Sequence, residues 1–258
     1  MAARVPPADL AGRGSWVYGK TFALRLECPM RIPLTRYGLP QVLVYPALTL
    51  GLIVALFVCR WHFGFLPGAL VVSLAAVLSL VLAWELAFFR DPERKIPLDD
   101  LALLSPADGT ITDIEEAEVP ELGGRALRIG MFLSIFNVHL NRMPCAARIE
   151  AVTYKKGKFK NAMAGDAGRV NEANEVLMAR LAEPRDRLLV RQISGAIARR
   201  IVCRAELGKE YAQGARFGMI KFGSRTELYL PASAGYEVVA KVGDKVRAGL
   251  SRLVVYKP

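Results

Sequence analysis

The sequence predicts a β-rich (α+β) domain with biotinyl/lipoyl-like half-barrel elements, preceded by an N-terminal two-helix membrane hairpin. Three observations lead there. First, charge is unevenly spread along the 258 residues. Residues 1–40 carry six Arg/Lys and two acids, net +4; residues 41–89 carry only Arg60 and Glu85; residues 90–258 carry 28 Arg/Lys and 21 acids, net +7. Second, the middle block holds two uncharged runs, Tyr37–Cys59 and Phe63–Trp84. Third, everything after Arg90 breaks into short β-branched or alternating stretches separated by turn signals. This division excludes a uniform soluble fold and a polytopic transporter. Scattered Cys28, Cys59, Cys145 and Cys203 exclude a disulfide-rich secreted domain, and His62 and His139, the only histidines, leave no zinc motif.

The chain therefore divides into a basic arm (1–36), a helical hairpin (37–89) and a mixed-charge domain (90–258). Each apolar run exceeds the roughly 20 residues a helix needs to cross a bilayer core. Arg60, Trp61 and His62 alone separate them, so they form the expected turn. Half-inserted helices lying on the bilayer are the alternative. Arg25, Arg31 and Arg36 precede the hairpin; Arg90, Arg94 and Lys95 follow it. The positive-inside rule then places both ends, and the domain, on the cytoplasmic side of the cell membrane.

Arg90–Pro97 is charged and proline-broken and reads as the exit linker. Strands are expected at 101–104, 110–114, 126–132, 147–154, 188–193, 199–205, 217–222, 227–230, 237–239 and 253–256. Asn171–Leu181, rich in Ala, Glu, Leu and Met, reads as a short helix. Ser105–Ile111 and Val242–Gly249 resemble turns of a biotinyl/lipoyl half-barrel. No modifiable lysine sits in a Met-Lys-Met-like setting, so that element is scaffold rather than swinging arm.

Among reactive side chains, His139 in Phe136-Asn-Val-His-Leu-Asn-Arg-Met-Pro144 reads either as a satisfied structural histidine or as a functional one. Asp108 in Pro106-Ala-Asp-Gly109 is a turn aspartate or a functional acid. Gly223-Ser224 lies between two apolar strand-like runs and is a bulge or a reactive junction. Glycine permits an unusual peptide conformation that exposes its carbonyl. The serine Oγ can then attack the Gly223 carbonyl and form an ester. β-Elimination breaks the chain, and tautomerisation and hydrolysis leave a pyruvoyl group at position 224.

Together these elements resemble phosphatidylserine decarboxylase in its shorter bacterial and archaeal form. The matching pieces are Phe88–Arg94, Ser105–Gly109, Phe136–Pro144, Gly157–Phe159 and Phe222-Gly-Ser-Arg225, spread over residues 40–258. The resemblance implies a proenzyme that cuts itself between Gly223 and Ser224 into a β chain (1–223) and an α chain (224–258). It implies decarboxylation of phosphatidylserine to phosphatidylethanolamine through a Schiff base on the pyruvoyl group, with no metal and no pyridoxal phosphate. Ser224, His139 and Asp108 are then the catalytic residues, with His139 the candidate proton donor to the product carbon. Lys156, Lys158 and Phe159, in a basic run, are expected to meet the phospholipid at the membrane. The implied partners are the lipid, the membrane and the α/β chain pair, with a higher oligomer left open and no nucleic acid.

Two departures matter. Larger bacterial members carry Leu-Gly-Ser-Thr where this chain has Phe222-Gly-Ser-Arg225. They also carry a second histidine at the position of Arg142, which serves their self-cleavage relay. Here either His139 covers both tasks, or cleavage runs on strain and Asp108. Two other functions are compatible with the pattern: the same chemistry on an archaetidylserine-type lipid, or a non-enzymatic membrane adaptor built on the half-barrel. The adaptor gives no reason for Gly223-Ser224.

Overall fold

The computed structural model describes residues 33–64, 66–160, 167–195, 200–221, 224–232 and 235–257. Most of the basic arm and Gly223 lie outside the described residues. The chain opens with helices α1 (Gln41–Phe63) and α2 (Gly68–Phe88). At about 1.5 Å per residue these reach roughly 35 and 32 Å, enough for a hydrocarbon core of about 30 Å. Of their side chains only Val42, Thr49, Val71, Ala75 and Phe88 are buried. The remaining apolar surface calls for lipid or another apolar cover.

The turn falls later than expected. α1 continues through Arg60, Trp61 and His62 and ends at Gly64, whose φ of 65° is left-handed; Pro67 precedes α2. Polar side chains do not stop a helix, whereas a left-handed glycine does. Backbone pairing closes the base of the hairpin: Thr35 N donates to Phe89 O at 2.8 Å and Asp91 N to Pro33 O at 2.6 Å.

The domain then runs β1 (Ala102–Leu104), β2 (Gly109–Val119), β3 (Gly124–Leu133), β4 (Leu140–Arg142) and β5 (Ala147–Lys155). A single-turn α3 (Ala167–Val170) leads to β6 (Ala173–Arg180), β7 (Arg187–Ser194), β8 (Arg200–Cys203), β9 (Glu210–Tyr211) and β10 (Arg216–Lys221). β11 (Ser224–Pro231), β12 (Tyr236–Val238), β13 (Lys245–Val246) and β14 (Arg252–Tyr256) complete it. A curled, antiparallel eight-stranded sheet has the order β13-β2-β3-β11-β7-β6-β5-β9. Two three-stranded sheets, β1-β14-β12 and β4-β10-β8, accompany it. Alternating residues from β3, β6, β7 and β11 meet Phe217, Leu253 and Tyr256 in one apolar core. The β-rich half-barrel behind two apolar helices is the fold the sequence predicts.

One element differs in kind. Residues 171–181 are not a helix: β6 is a central strand between β5 and β7. Val176 and Met178 enter the main core, while Leu177 packs with the separate cluster around Leu189 and Tyr229. This two-residue alternation, sandwiched by neighbouring strands, overrides the helix propensity of Ala, Glu, Leu and Met.

Candidate active site

Ser224 opens β11 near the middle of the large sheet. It pairs with Leu133 at the end of β3 and with Ser194 at the end of β7. The residue is wholly buried, and its Oγ has no hydrogen-bond partner among the described residues. Leaving such a hydroxyl unsatisfied costs about 1–3 kcal/mol, so packing alone gives no reason for it.

His139 approaches from the loop that follows β3. Asn137 Oδ1 fixes that loop by accepting from Ser134 N at 2.9 Å and Ser134 Oγ at 2.8 Å. The His139 carbonyl accepts from Ile220 N at 3.2 Å, four residues before Ser224. Its Nδ1 lies 3.0 Å from the Asn137 carbonyl. A carbonyl only accepts, so this contact assigns the proton to Nδ1 and leaves a lone pair on Nε2. That Nε2 is buried without a partner. The ring rests on Phe88, the last residue of α2, with centroids 4.4 Å apart. Burial pulls the imidazole pKa down to about 4, aided by Arg90 and opposed by the Asn137 carbonyl and Asp108. At neutral pH the ring is therefore an uncharged base. Ser224 Oγ and His139 Nε2 are not hydrogen-bonded to each other here.

Asp108 is held elsewhere. Arg94 grips both carboxylate oxygens, at 2.6 and 2.8 Å, and Ala248 N donates to Oδ1 at 2.7 Å. Arg94 also donates to the Ala248 carbonyl at 2.7 Å. The pair thus clamps the turn after β13 against the start of β2. Its neighbour must be glycine, because a Cβ on Gly109 would collide with the Phe132 carbonyl. Asp108 touches neither Ser224 nor His139 by a hydrogen bond, although its charge reaches the imidazole.

Arg142, which the resemblance sets at the position of the second histidine, spends its side chain on the exit linker and the turn at Gly214. It donates to Gly214 O at 3.0 Å and Pro92 O at 3.3 Å and pairs with Asp91 at 3.6 Å. Burial lowers its pKa to about 10, helped by Arg216 and Arg94. Its work is to fix the exit linker.

Lys156, Lys158 and Phe159 follow β5 on an exposed segment. Lys158 N donates to Val170 O and its carbonyl accepts from Glu172 N, at 2.7 and 2.9 Å. Ser194, the partner of Ser224, bonds to the Glu172 carbonyl through N and Oγ. Two backbone segments, at Glu172 and at Ser194, thus separate the basic segment from Ser224. On the other flank a cavity of about 550 Å³ is lined by Arg90, Asp108, Thr110, Ser134, Lys245 and Arg247, among others. Lys245 and Arg247 are not among the sequence candidates; the signal the sequence holds is two cations beside the Gly243-Asp244 turn. The Arg94 partner of Asp108 was also missed, since no spacing rule joins a linker to a turn. Among the described residues no cluster of His, Cys, Asp or Glu could hold a metal ion.

A buried serine hydroxyl and the free Nε2 of a neutral imidazole, the latter packed on the last residue of two apolar helices that lead into a β-rich half-barrel, suit an enzyme working beside an apolar anchor. The sequence profile described as phosphatidylserine decarboxylase matches residues 81–253. A phosphatidylserine decarboxylase proenzyme from Rhodopirellula baltica is 40% identical over 227 residues, covering 88% of this chain and 89% of its own. Its counterpart in Symbiobacterium thermophilum is 41% identical over 222 residues, covering 85% and 94%. That of Nitrosomonas eutropha is 41% identical over 210 residues, covering 78% and 95%. The chain belongs to the phosphatidylserine decarboxylase family and is a carboxy-lyase.

Proposed function

We propose that the protein is made as a proenzyme, cuts itself between Gly223 and Ser224, and decarboxylates phosphatidylserine to phosphatidylethanolamine. The observation that carries this reading is the buried, unpartnered Oγ of Ser224 at the start of a central strand. Neutral His139 Nε2 takes the hydroxyl proton as Oγ adds to the Gly223 carbonyl, and the proton passes to the Ser224 nitrogen as the Gly223–Ser224 C–N bond breaks, leaving an ester and a free amine. Elimination then leaves Gly223 as a carboxylate and a dehydroalanine at 224. Water converts its enamine to the ketone with loss of ammonia. The residues fit the resulting pyruvoyl group: strand pairing on both sides holds position 224 in register. In the lipid reaction the pyruvoyl group supplies the electron sink for loss of CO2.

In each turnover His139 Nε2 relays a proton taken from water to the carbon that lost CO2. Asp108 acts through its charge on that imidazole and through the Arg94 clamp. Residues 224–258 form β11 to β14, threaded through the large sheet and the β1-β14-β12 sheet. The two chains therefore remain one body after cleavage. We place α1 and α2 across the membrane with the domain on the cytoplasmic face, and Lys156, Lys158 and Phe159 against the headgroup layer.

Mass analysis of the C-terminal fragment tests this. Wild type should yield a 224–258 fragment with a blocked, pyruvoyl N-terminus, and Ser224→Ala one uncut, inactive chain. A wild-type fragment beginning with a free serine amine, or an active uncut Ser224→Ala protein, overturns the reading.

A further inference from the structure

We propose that Arg90, Lys245 and Arg247 form the site that holds the lipid's phosphodiester, an inference that rests on the decarboxylase reading above. The three cations line the cavity of about 550 Å³ together with Asp108 and Asn137. Phe132 and Ser134, which also line it, flank Leu133, the residue paired with Ser224. Asn137, another wall residue, carries the carbonyl that orients His139. Thr110 and Phe132 share their face of the sheet with Arg225, and Ser134 and Asn137 belong to the loop that carries His139, so an anion seated there lies against that loop.

The charge of this cavity is uncompensated. Its one lining carboxylate, Asp108, is neutralised by Arg94. Arg90 spends two donors on carbonyls, Ala87 O and Phe136 O, each at 2.6 Å, which aim the guanidinium without neutralising it. Among the described residues no carboxylate pairs with Arg90, Lys245 or Arg247. The Asp108–Arg94–Ala248 clamp sets the position of the turn that bears the last two. The site also stands at the right depth: Arg90 follows α2 within two residues, and the carbonyl it holds belongs to Phe136, which is 70% exposed. An aromatic beside the foot of an apolar hairpin suits the level of lipid headgroups.

Two anions of a seryl phospholipid compete for such a cradle, and mechanism chooses between them. A cation paired with the departing carboxylate would stabilise the ground state more than the transition state and slow CO2 loss. The phosphodiester keeps its charge throughout, so binding it anchors the lipid without that penalty. Charge-assisted contacts of this kind are each worth roughly a tenfold change in affinity.

The test uses full-length enzyme and a short-chain, water-soluble phosphatidylserine. Lys245→Gln and Arg247→Gln should still be cut into two chains, with KM raised roughly tenfold each and kcat little changed. Glycerophosphoserine should compete with the substrate on wild-type enzyme, and free serine should not. The competition result stands even where a variant fails to fold. Unchanged KM with weakened attachment to phosphatidylglycerol vesicles would mean that the cations serve only the bilayer surface, and would overturn the proposal. Equal inhibition by serine would overturn it too. Failure of wild type to cut itself would instead strike the decarboxylase reading.

Discussion

Ser224 and Arg225 are adjacent in sequence and opposite in situation. Both are buried. Ser224 faces the side of the sheet that leads to the apolar core, and its hydroxyl bonds to nothing. Arg225 points to the other face. It donates to Glu227 at 2.7 Å, to Thr112 Oγ1 at 2.9 Å, and to both Asp113 oxygens at 2.8 and 2.6 Å. Glu227 in turn accepts from Tyr229 and lies 3.7 Å from Arg191. One face of β11 is saturated with partners and the other leaves a reactive atom free. The proposed self-cleavage gives that asymmetry a use: the fixed face would hold the new end in register while the free face reacts. The Arg in place of the larger enzymes' Thr is therefore an anchor that brings its own carboxylates.

The largest effect expected from this contrast falls on the free face. His139→Ala removes a group whose only polar tie is the Asn137 carbonyl, so the fold should persist. Turnover should fall by roughly 10²–10⁴-fold for a lost proton-transfer group. Gel analysis separates its two tasks: an uncut chain means His139 also serves cleavage, a cut and slow enzyme means it serves the lipid reaction alone. Wild-type turnover would remove it from both.

On the saturated face the expected loss is stability. Arg225→Ala removes the nearest cation from Asp113 and from a Glu227 side chain that is 1% exposed, leaving Arg128 and Arg191 as their remaining cations, so unfolding free energy should drop by about 1.5–3 kcal/mol. Urea titration of wild type and variant measures it. Arg225→Ala with Asp113→Asn and Glu227→Gln should recover part of the loss, because the charges that lost their nearest cation are gone. A single variant as stable as wild type would show that the anchor is dispensable.

Acid should distinguish the faces again. His139 has a folded pKa lowered from 6.5 to about 4. Between those values the unfolded chain binds more protons, so stability is complete above about pH 6.5 and declines as pH falls towards 4. The full cost is on the order of 3 kcal/mol. His139→Gln should flatten the stability profile over that window. An unaltered slope would mean that the ring is less buried than this structure has it.

How much of this was legible in the sequence follows from what each signal depends on. The ten strands expected all exist, because β-branched alternation between turn residues is a local signal. β4, β9 and β13 have only two or three residues, too few for a period to register. β6 was misread because Ala, Glu, Leu and Met favour helix until neighbouring strands flank them. The hairpin was visible from hydropathy, but its turn was sought at charged residues instead of at Gly64 and Pro67. At the site, the importance of Ser224, His139 and Asp108 came from motif resemblance. Their partners did not: Arg94 reaches Asp108, and Lys245 reaches the cavity wall, only after the chain has folded. Long-range pairing of polar groups leaves no periodic trace.

The smallest expected effect sharpens the comparison on the exposed side of the site. Lys156 and Lys158 are solvent-facing, so replacing either with Gln should leave folding stability within about 0.5 kcal/mol. Each cation near an anionic surface is worth about 1 kcal/mol, or roughly fivefold in attachment to phosphatidylserine vesicles, and the difference should shrink at high salt. Turnover of a soluble short-chain substrate should not change. Gly157, between them, behaves oppositely. A Cβ there would run into the Asn171–Glu172 backbone, which carries the carbonyl that fixes Ser194 beside Ser224. Gly157→Ala should therefore impair cleavage and turnover without altering any charge. If instead Lys156→Gln raises KM for the soluble lipid, the basic segment touches the headgroup directly, and substrate contacts extend across both flanks of Ser224.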